Sequence, residues 1–429
     1  MRKNHSYYYY LLGSTILLAI SVFIYLSIWY LKVLNSIGID ENRYLQSLIL
    51  FREGNYSTLF KDGFSIPYLL LNILVGNFVD DSLQILRVST YISGLIILII
   101  TAILIFKAFR IKGLIASISI IYILNLFAIR PDVFIGLNEY LKDMFGCLIF
   151  FILIKKTKFG FKDFIFIGIL FGFAILTRPM SISFFLVFIF SGLIFQLISL
   201  KVHNSLVSNN VFLKGFIIFS GCLGTIVIMN SYSLLKYEKL VWENKELPGE
   251  INWAQYDYHN VLQNYNGELD RGKHSSVNAT KEFIEHNGKN SLPDNFFAMI
   301  YFDWKITIYE FFIDYFTSLK YLIRLTGISY IFGLVYLFKK IISGYKYEDR
   351  NILFFLLFTF IYPLSISFIV ISNIQPRWYM FFLPISICVY FFLFTKINGS
   401  RKLIYLATNN IFLLIANLPF IIENIEILD

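Results

Sequence analysis

The first residues that could do chemistry stand a few positions beyond the first long uncharged run: Asp40-Glu41-Asn42-Arg43-Tyr44. Two adjacent carboxylates can supply a general base and its neighbour, and an arginine beside them can hold an anion. If a helix begins after Gly38, Asp40 and Tyr44 share a face while Glu41 turns away by about 100°. The same pair also reads as a solvated helix start, where acids offset the helix dipole. A second acidic set, Asp132, Glu139 and Asp143, follows Arg130-Pro131. Arg87, Arg178 and Arg377 sit at the ends of apolar runs, with Arg324 about a turn into its own. A guanidinium makes paired hydrogen bonds and stays charged next to hydrocarbon, so these arginines suit an anionic group at a membrane rim. Each also reads as a side chain snorkelling to lipid headgroups. His259, His274 and His286 are separated by 15 and 12 residues in a polar stretch, which fits no compact metal-ligand spacing.

The elements that must position these groups are set by composition. Of 429 residues, 57% are hydrophobic and 15% charged, with a mean hydropathy of +0.66. That is too apolar for a soluble chain of this size to bury, so the expected class is an all-α polytopic membrane protein. Uncharged runs at Ser6 to Leu31, Val88 to Phe106, Gly113 to Ile129, Pro179 to Leu200, Gly215 to Leu235, Asn351 to Gln375, Trp378 to Thr395 and Leu403 to Ile422 read as spans. Met144 to Ile154, Phe164 to Thr177 and Leu325 to Phe338 are marginal, giving about eleven transmembrane helices. The run from Ser6 reads as a retained signal anchor with a cytoplasmic N-terminus. With that orientation the inner segments carry +15 and the outer ones −6, so the net charge of +9 encodes topology and not a nucleic-acid partner. Ser65 to Val79 is apolar enough to tempt assignment as a span, but counting it would move the Lys155, Lys156 and Lys158 cluster outside. It reads instead as an interfacial helix on the outer leaflet. The expected organisation is an N-terminal membrane module over 1–235 with a chemically active first outer loop at 35–86. An outer loop unit follows at 236–305, and C-terminal spans at 306–429. Cys147, Cys222 and Cys388 lie in apolar runs and offer no disulfide framework. Gly168 and Gly172 form a small-residue helix-packing pair.

The order of short motifs resembles the GT-C glycosyltransferases, in particular the protein O-mannosyltransferase and aminoarabinose-transferase-like branch. Asp40-Glu41-Asn42-Arg43-Tyr44 with Phe51-Arg52-Glu53-Gly54-Asn55 is similar to that branch's first outer loop. Pro67-Tyr68-Leu69-Leu70-Leu71 is similar to its interfacial helix, and Asp81 to Arg87 to the entry of its second span. Ile175-Leu176-Thr177-Arg178-Pro179 and Pro376-Arg377-Trp378-Tyr379 with Pro384 extend the likeness along most of the chain. The family often has an acid and a lysine directly before the helix proline; here Phe64-Ser65-Ile66 precede it, with Lys61 and Asp62 slightly upstream.

The resemblance implies an inverting transfer of a hexosyl or pentosyl group from a polyprenyl-phosphate donor to a glycan, lipid or protein acceptor, on the outer face of a bacterial cytoplasmic membrane. A lipid phosphate leaves without protonation, so one carboxylate suffices to deprotonate the acceptor hydroxyl. Asp40 is the expected base, with Glu41, Glu139 and Asp132 as further catalytic candidates. Glu139 is favoured in the second loop because a carboxylate opens the corresponding span in many relatives. Arg43, Tyr44, Lys61, Arg87, Arg178, Arg377 and Tyr379 are the expected substrate-binding residues. A divalent metal between Asp40 and the second-loop acid is a further option the resemblance leaves open. The competing classes are a lipid-linked glycan flippase and an O-antigen-type polymerase. A flippase would place ionisable groups at the midplane, where these runs are nearly uncharged. A polymerase would carry arginine-rich outer loops, whereas Lys236 to Lys305 is acidic.

Overall fold

The computed structural model describes residues 21, 24–25, 27–28, 31, 39–108, 136–156, 158–203, 210–242, 251–271, 273–345, 349–368, 374–398 and 401–426. Every element among them is helical.

The stretch expected as the first outer loop folds as three helices, α1 (Ile39–Arg52), α2 (Tyr56–Asp62) and α3 (Ile66–Val75). Pro67 opens α3, where its fixed φ suits the first helical turn and its missing N–H has no helical acceptor to lose. With ten residues α3 is too short to cross a bilayer. It buries Tyr68, Leu69 and Val75 and exposes Leu70 and Leu74. The Tyr68 hydroxyl donates to the Leu86 carbonyl at 3.0 Å and so pins α3 to α4 (Ser82–Ala108).

α5 (Glu139–Lys155), α6 (Phe161–Thr177), α7 (Ser181–His203) and α8 (Asn210–Met229) follow. α6 and α8 are in backbone contact because glycines line the seam. A Cβ on Gly221 would come within 2.7 Å of the Ile165 carbonyl oxygen, one on Gly172 within 2.7 Å of Thr225 Cβ, and one on Gly168 would overlap the Ile218 carbonyl. The packing role expected of Gly168 and Gly172 is the one they play.

Beyond the short α9 (Ser231–Tyr237), the stretch expected on the outer side as the outer unit contains α10 (Trp253–Asn266), α11 (Val277–Asn287) and α12 (Phe296–Phe302). It has a small core of its own, formed by Ala254, Tyr258, Val261, Leu292 and Met299 with Ile306. α13 (Trp304–Thr326) and α14 (Ser329–Ser343) then meet at a 108° bend. Gly327 takes φ +72° at that corner, and the Ser329 N–H donates to Asn409 Oδ1 at 3.0 Å, giving the second helix a cap from a distant residue. α15 (Arg350–Ser367), a 3-10 turn (Pro376–Phe382), α16 (Leu383–Lys396) and α17 (Arg401–Glu426) complete the chain. The centre is an aromatic core in which Phe150, Phe184, Phe358, Tyr362 and Phe381 pack ring against ring.

Among the described residues five helices are long and apolar enough to cross a membrane: Ser82–Leu104, Ser181–Ser199, Phe212–Met229, Arg350–Ser367 and Trp378–Lys396. The bent α13–α14 pair makes six if counted as one span. The chain is therefore an all-helical, multi-pass membrane protein. The expected span at Leu325 to Phe338 straddles the bend, so it is not a straight crossing. α5 and α6 have 17 residues each, and the apolar part of α17 is confined to Ile404–Pro419. Most of the run Ser6 to Leu31 and all of Gly113 to Ile129 lie outside the described residues.

Candidate functional site

α1 presents Glu41 inward. Its side chain is fully buried, and Oε1 accepts from Arg87 Nε at 2.9 Å while Oε2 accepts from Arg87 Nη2 at 3.2 Å. Arg87 comes from the first turns of α4 and is also buried. The Gly136 N–H donates to Glu41 Oε1 at 2.8 Å, so the segment entering α5 closes the same carboxylate from a third side. Gly136 is required there: a Cβ would stand 2.6 Å from Leu86 Cβ and 3.1 Å from Glu41 Oε1. The next residue is fixed as well, since the Leu137 N–H donates to Thr90 Oγ1 at 3.0 Å, and that hydroxyl lies 3.1 Å from the Tyr68 hydroxyl.

One residue further, the site continues. Asn138 Nδ2 donates to the Thr177 carbonyl at 2.7 Å, and Arg178 Nη1 donates to Asn138 Oδ1 at 3.3 Å. Arg178 Nη1 also pairs with Glu139 Oε1 at 2.6 Å. Three residues on, Lys142 Nζ pairs with Asp143 Oδ1 at 2.9 Å. Glu139, Lys142, Asp143 and Arg178 are all buried, which explains their pairing: a lone charge at such a place costs several kcal/mol. Lys142, Ser181 and Tyr362 with Met180, Phe184 and Phe381 line a small pocket beside them, with room for about one water.

Of the residues expected from sequence, the structure thus brings Glu41, Arg87, Glu139 and Arg178 onto one ladder, with Tyr68, Thr90, Gly136 and Asn138 as its rungs. Arg87 and Arg178 are engaged by carboxylates of this chain. Tyr44 is buried against Tyr68, ring centroids 5.2 Å apart, and Arg43 is half-buried beside it. Tyr379 is fully buried and its hydroxyl donates to Ser318 Oγ, which makes it a core residue in this arrangement. Lys61 is exposed and contributes its backbone carbonyl to Lys239 Nζ at 3.0 Å. The side chains of Asp40 and Arg377, and the whole of Asp132, lie outside the described residues; Asp40's backbone belongs to the first turn of α1. Among the described residues no three His, Cys, Asp or Glu side chains are arranged to hold a metal.

A second charged cluster was not anticipated from sequence. Arg271, in the outer unit, donates from Nη1 and Nη2 to Glu310 Oε1 and Oε2 at 3.2 and 2.8 Å, and from Nη2 to Asp314 Oδ1 at 2.7 Å. Both acids are buried on α13, while Arg271 is one third exposed. The available signal was the i,i+4 spacing of the two acids on a largely apolar helix. In the outer unit itself, burial pushes His259 below its ordinary value and its Nδ1 lies 2.9 Å from Thr280 Oγ1. His274, also pushed down by burial, stacks on Tyr256.

No family model, no curated protein and no solved structure matches the chain.

Proposed function

We propose that the chain is a membrane glycosyltransferase of the GT-C type, transferring a sugar from a polyprenyl-phosphate donor to an acceptor on the extracytoplasmic side. In this reading it crosses a bacterial cytoplasmic membrane about eleven times with its N-terminus inside. The observation that carries the proposal is the ladder joining Glu41, Arg87, Gly136, Glu139 and Arg178. It ties the start of α1, the entry to α4, the entry to α5 and the end of α6 at one place, and these are the segments whose motifs resemble the family.

In this reading the two adjacent acids have different roles. Glu41 has both oxygens engaged by Arg87 and Gly136, so it serves as the anchor that fixes the first turn of α1. Asp40, on the same turn, is left as the proposed base for the acceptor hydroxyl. Glu139 and Arg178 order the neighbouring helix ends, and Arg377 is the proposed contact for the donor phosphate. Because the lipid phosphate departs as a stable anion, the reaction asks for one base and a cationic clamp and no general acid.

The test is transfer of radiolabel from a polyprenyl-phosphate sugar in membranes holding the full chain. Asp40→Asn is expected to abolish transfer with insertion and donor binding retained. Wild-type activity in that variant overturns the assignment of the base, and absence of transfer by the wild-type chain from a panel of such donors overturns the function.

A further inference from the structure

The polarity of α13 is reversed relative to a helix in water. Its buried residues include Glu310, Asp314, Ser318 and Arg324, while Ile308, Tyr309, Phe312 and Phe316 are exposed. Facing water, this arrangement would leave apolar surface uncovered and hide charge; facing hydrocarbon, it is the stable one. The apolar strip does not stop where α13 starts. It includes Trp304, the first residue of α13 and 64% exposed, and past the capping residue Asp303 the short α12 exposes Tyr301 and Phe297, at 74% and 79%. Tryptophan and tyrosine favour the headgroup level of a bilayer, and the exposed Lys305 beside them can reach lipid phosphate. α11, in the same outer unit, instead exposes Lys281, Glu282 and Glu285.

We infer that the short helix Phe296–Phe302 is seated in the interfacial layer of the bilayer, with lipid headgroups and upper acyl chains as the partner of Phe297, Tyr301 and Trp304. This seat ties the outer unit to the membrane surface while α11 stands in water. Glu310 and Asp314 then lie about 9 and 15 Å further along α13 than Trp304, at membrane depth. The seat fixes the height from which Arg271 enters to meet them. The inference rests on the membrane character of the chain and is independent of sugar transfer.

Spin labels test it in the full chain, reconstituted in phosphatidylcholine–phosphatidylglycerol vesicles with the three native cysteines changed to alanine. Labels are placed at Phe297→Cys and Tyr301→Cys, with Phe312→Cys as the lipid reference and Glu285→Cys as the water reference. Phe297 and Tyr301 are expected to collide preferentially with oxygen, as Phe312 does, and Glu285 with a water-soluble nickel chelate. Labels at 297 and 301 that behave like the one at 285 overturn the inference. The native chain supplies a second measurement: the fluorescence component lost in Trp304→Phe is expected to be quenched by lipid brominated near the head of the acyl chain. Quenching of that component by aqueous acrylamide instead overturns the inference too.

Discussion

The Arg87 guanidinium meets the Glu41 carboxylate edge to edge, Nε to Oε1 at 2.9 Å and Nη2 to Oε2 at 3.2 Å, with both side chains withdrawn from solvent. Two parallel bonds fix orientation as well as distance, so this pair sets how α1 leans on α4. Removing one partner leaves the other as an uncompensated buried charge, at a cost of about 3–5 kcal/mol. Arg87→Met and Glu41→Met are each expected to lower the thermal midpoint in detergent, and the double variant is expected to recover part of the loss. A double variant as damaged as the sum of the two singles would show that the residues act independently.

Gly136 gives a sharper test of the same junction, because no charge changes. A methyl group there would meet Leu86 Cβ at 2.6 Å and Glu41 Oε1 at 3.1 Å. Overpacking of this kind costs about 1–3 kcal/mol. Gly224, with nothing within 4 Å of its hypothetical Cβ, is the control. Gly136→Ala is expected to destabilise the chain while Gly224→Ala is neutral or slightly stabilising, since alanine is the better helix former. Unfolding followed by tryptophan fluorescence compares them directly, and equal midpoints would remove the need for glycine at 136.

These two residues also show what the sequence could and could not disclose. Composition and long uncharged runs were enough for the helical membrane class, and Pro67 with its apolar neighbours was enough for a short helix at Ile66–Val75. That Glu41 turns inward was not legible. Its orientation is set by Arg87 and by the N–H of Gly136, which is 95 residues away, and nothing local to α1 encodes either. Asp314 was hidden for the same reason, since its partner Arg271 belongs to a different unit. The bend at Gly327 was missed because apolar periodicity continues through it, while the capping group, Asn409, is 80 residues downstream of Ser329. Tyr379 read as a rim aromatic because Arg377 is close in sequence, but the tight 3-10 turn over Pro376–Phe382 carries it into the core.

The outer unit should be acid-sensitive through His259. Burial holds its imidazole below its ordinary value, whereas in the unfolded chain it titrates near ~6.5. Below that pH the unfolded state binds more protons than the folded one, so stability is complete above about 6.5 and declines as pH falls further. His274 pushes in the same direction. The protection of α10 and α11 against hydrogen exchange, taken relative to the intrinsic amide rate at each pH, is expected to fall from pH 7 to pH 5, and His259→Gln is expected to flatten that dependence. A profile unchanged by the substitution would assign the acid sensitivity elsewhere.

Arg271 is the arm by which the outer unit holds α13, and its removal separates two effects. Glu310 and Asp314 are both buried, and one guanidinium serves both. In Arg271→Ala the acids lose their shared donor, at a cost of about 1–3 kcal/mol, reduced by the partial exposure of the arginine. The loss should be local, because the outer unit keeps its own core around Tyr258 and Met299. Amide exchange is therefore expected to rise in the segment around Arg271 and in α13 from Glu310 onward, with α4 and α5 unaffected. Arg271→Lys retains the charge but not the fork that engages both carboxylates, so it should restore only part of the protection. Adding Glu310→Gln and Asp314→Asn to Arg271→Ala removes the stranded charges, and that triple variant is expected to be more stable than Arg271→Ala alone. If it is not, the cluster contributes through packing and not through charge.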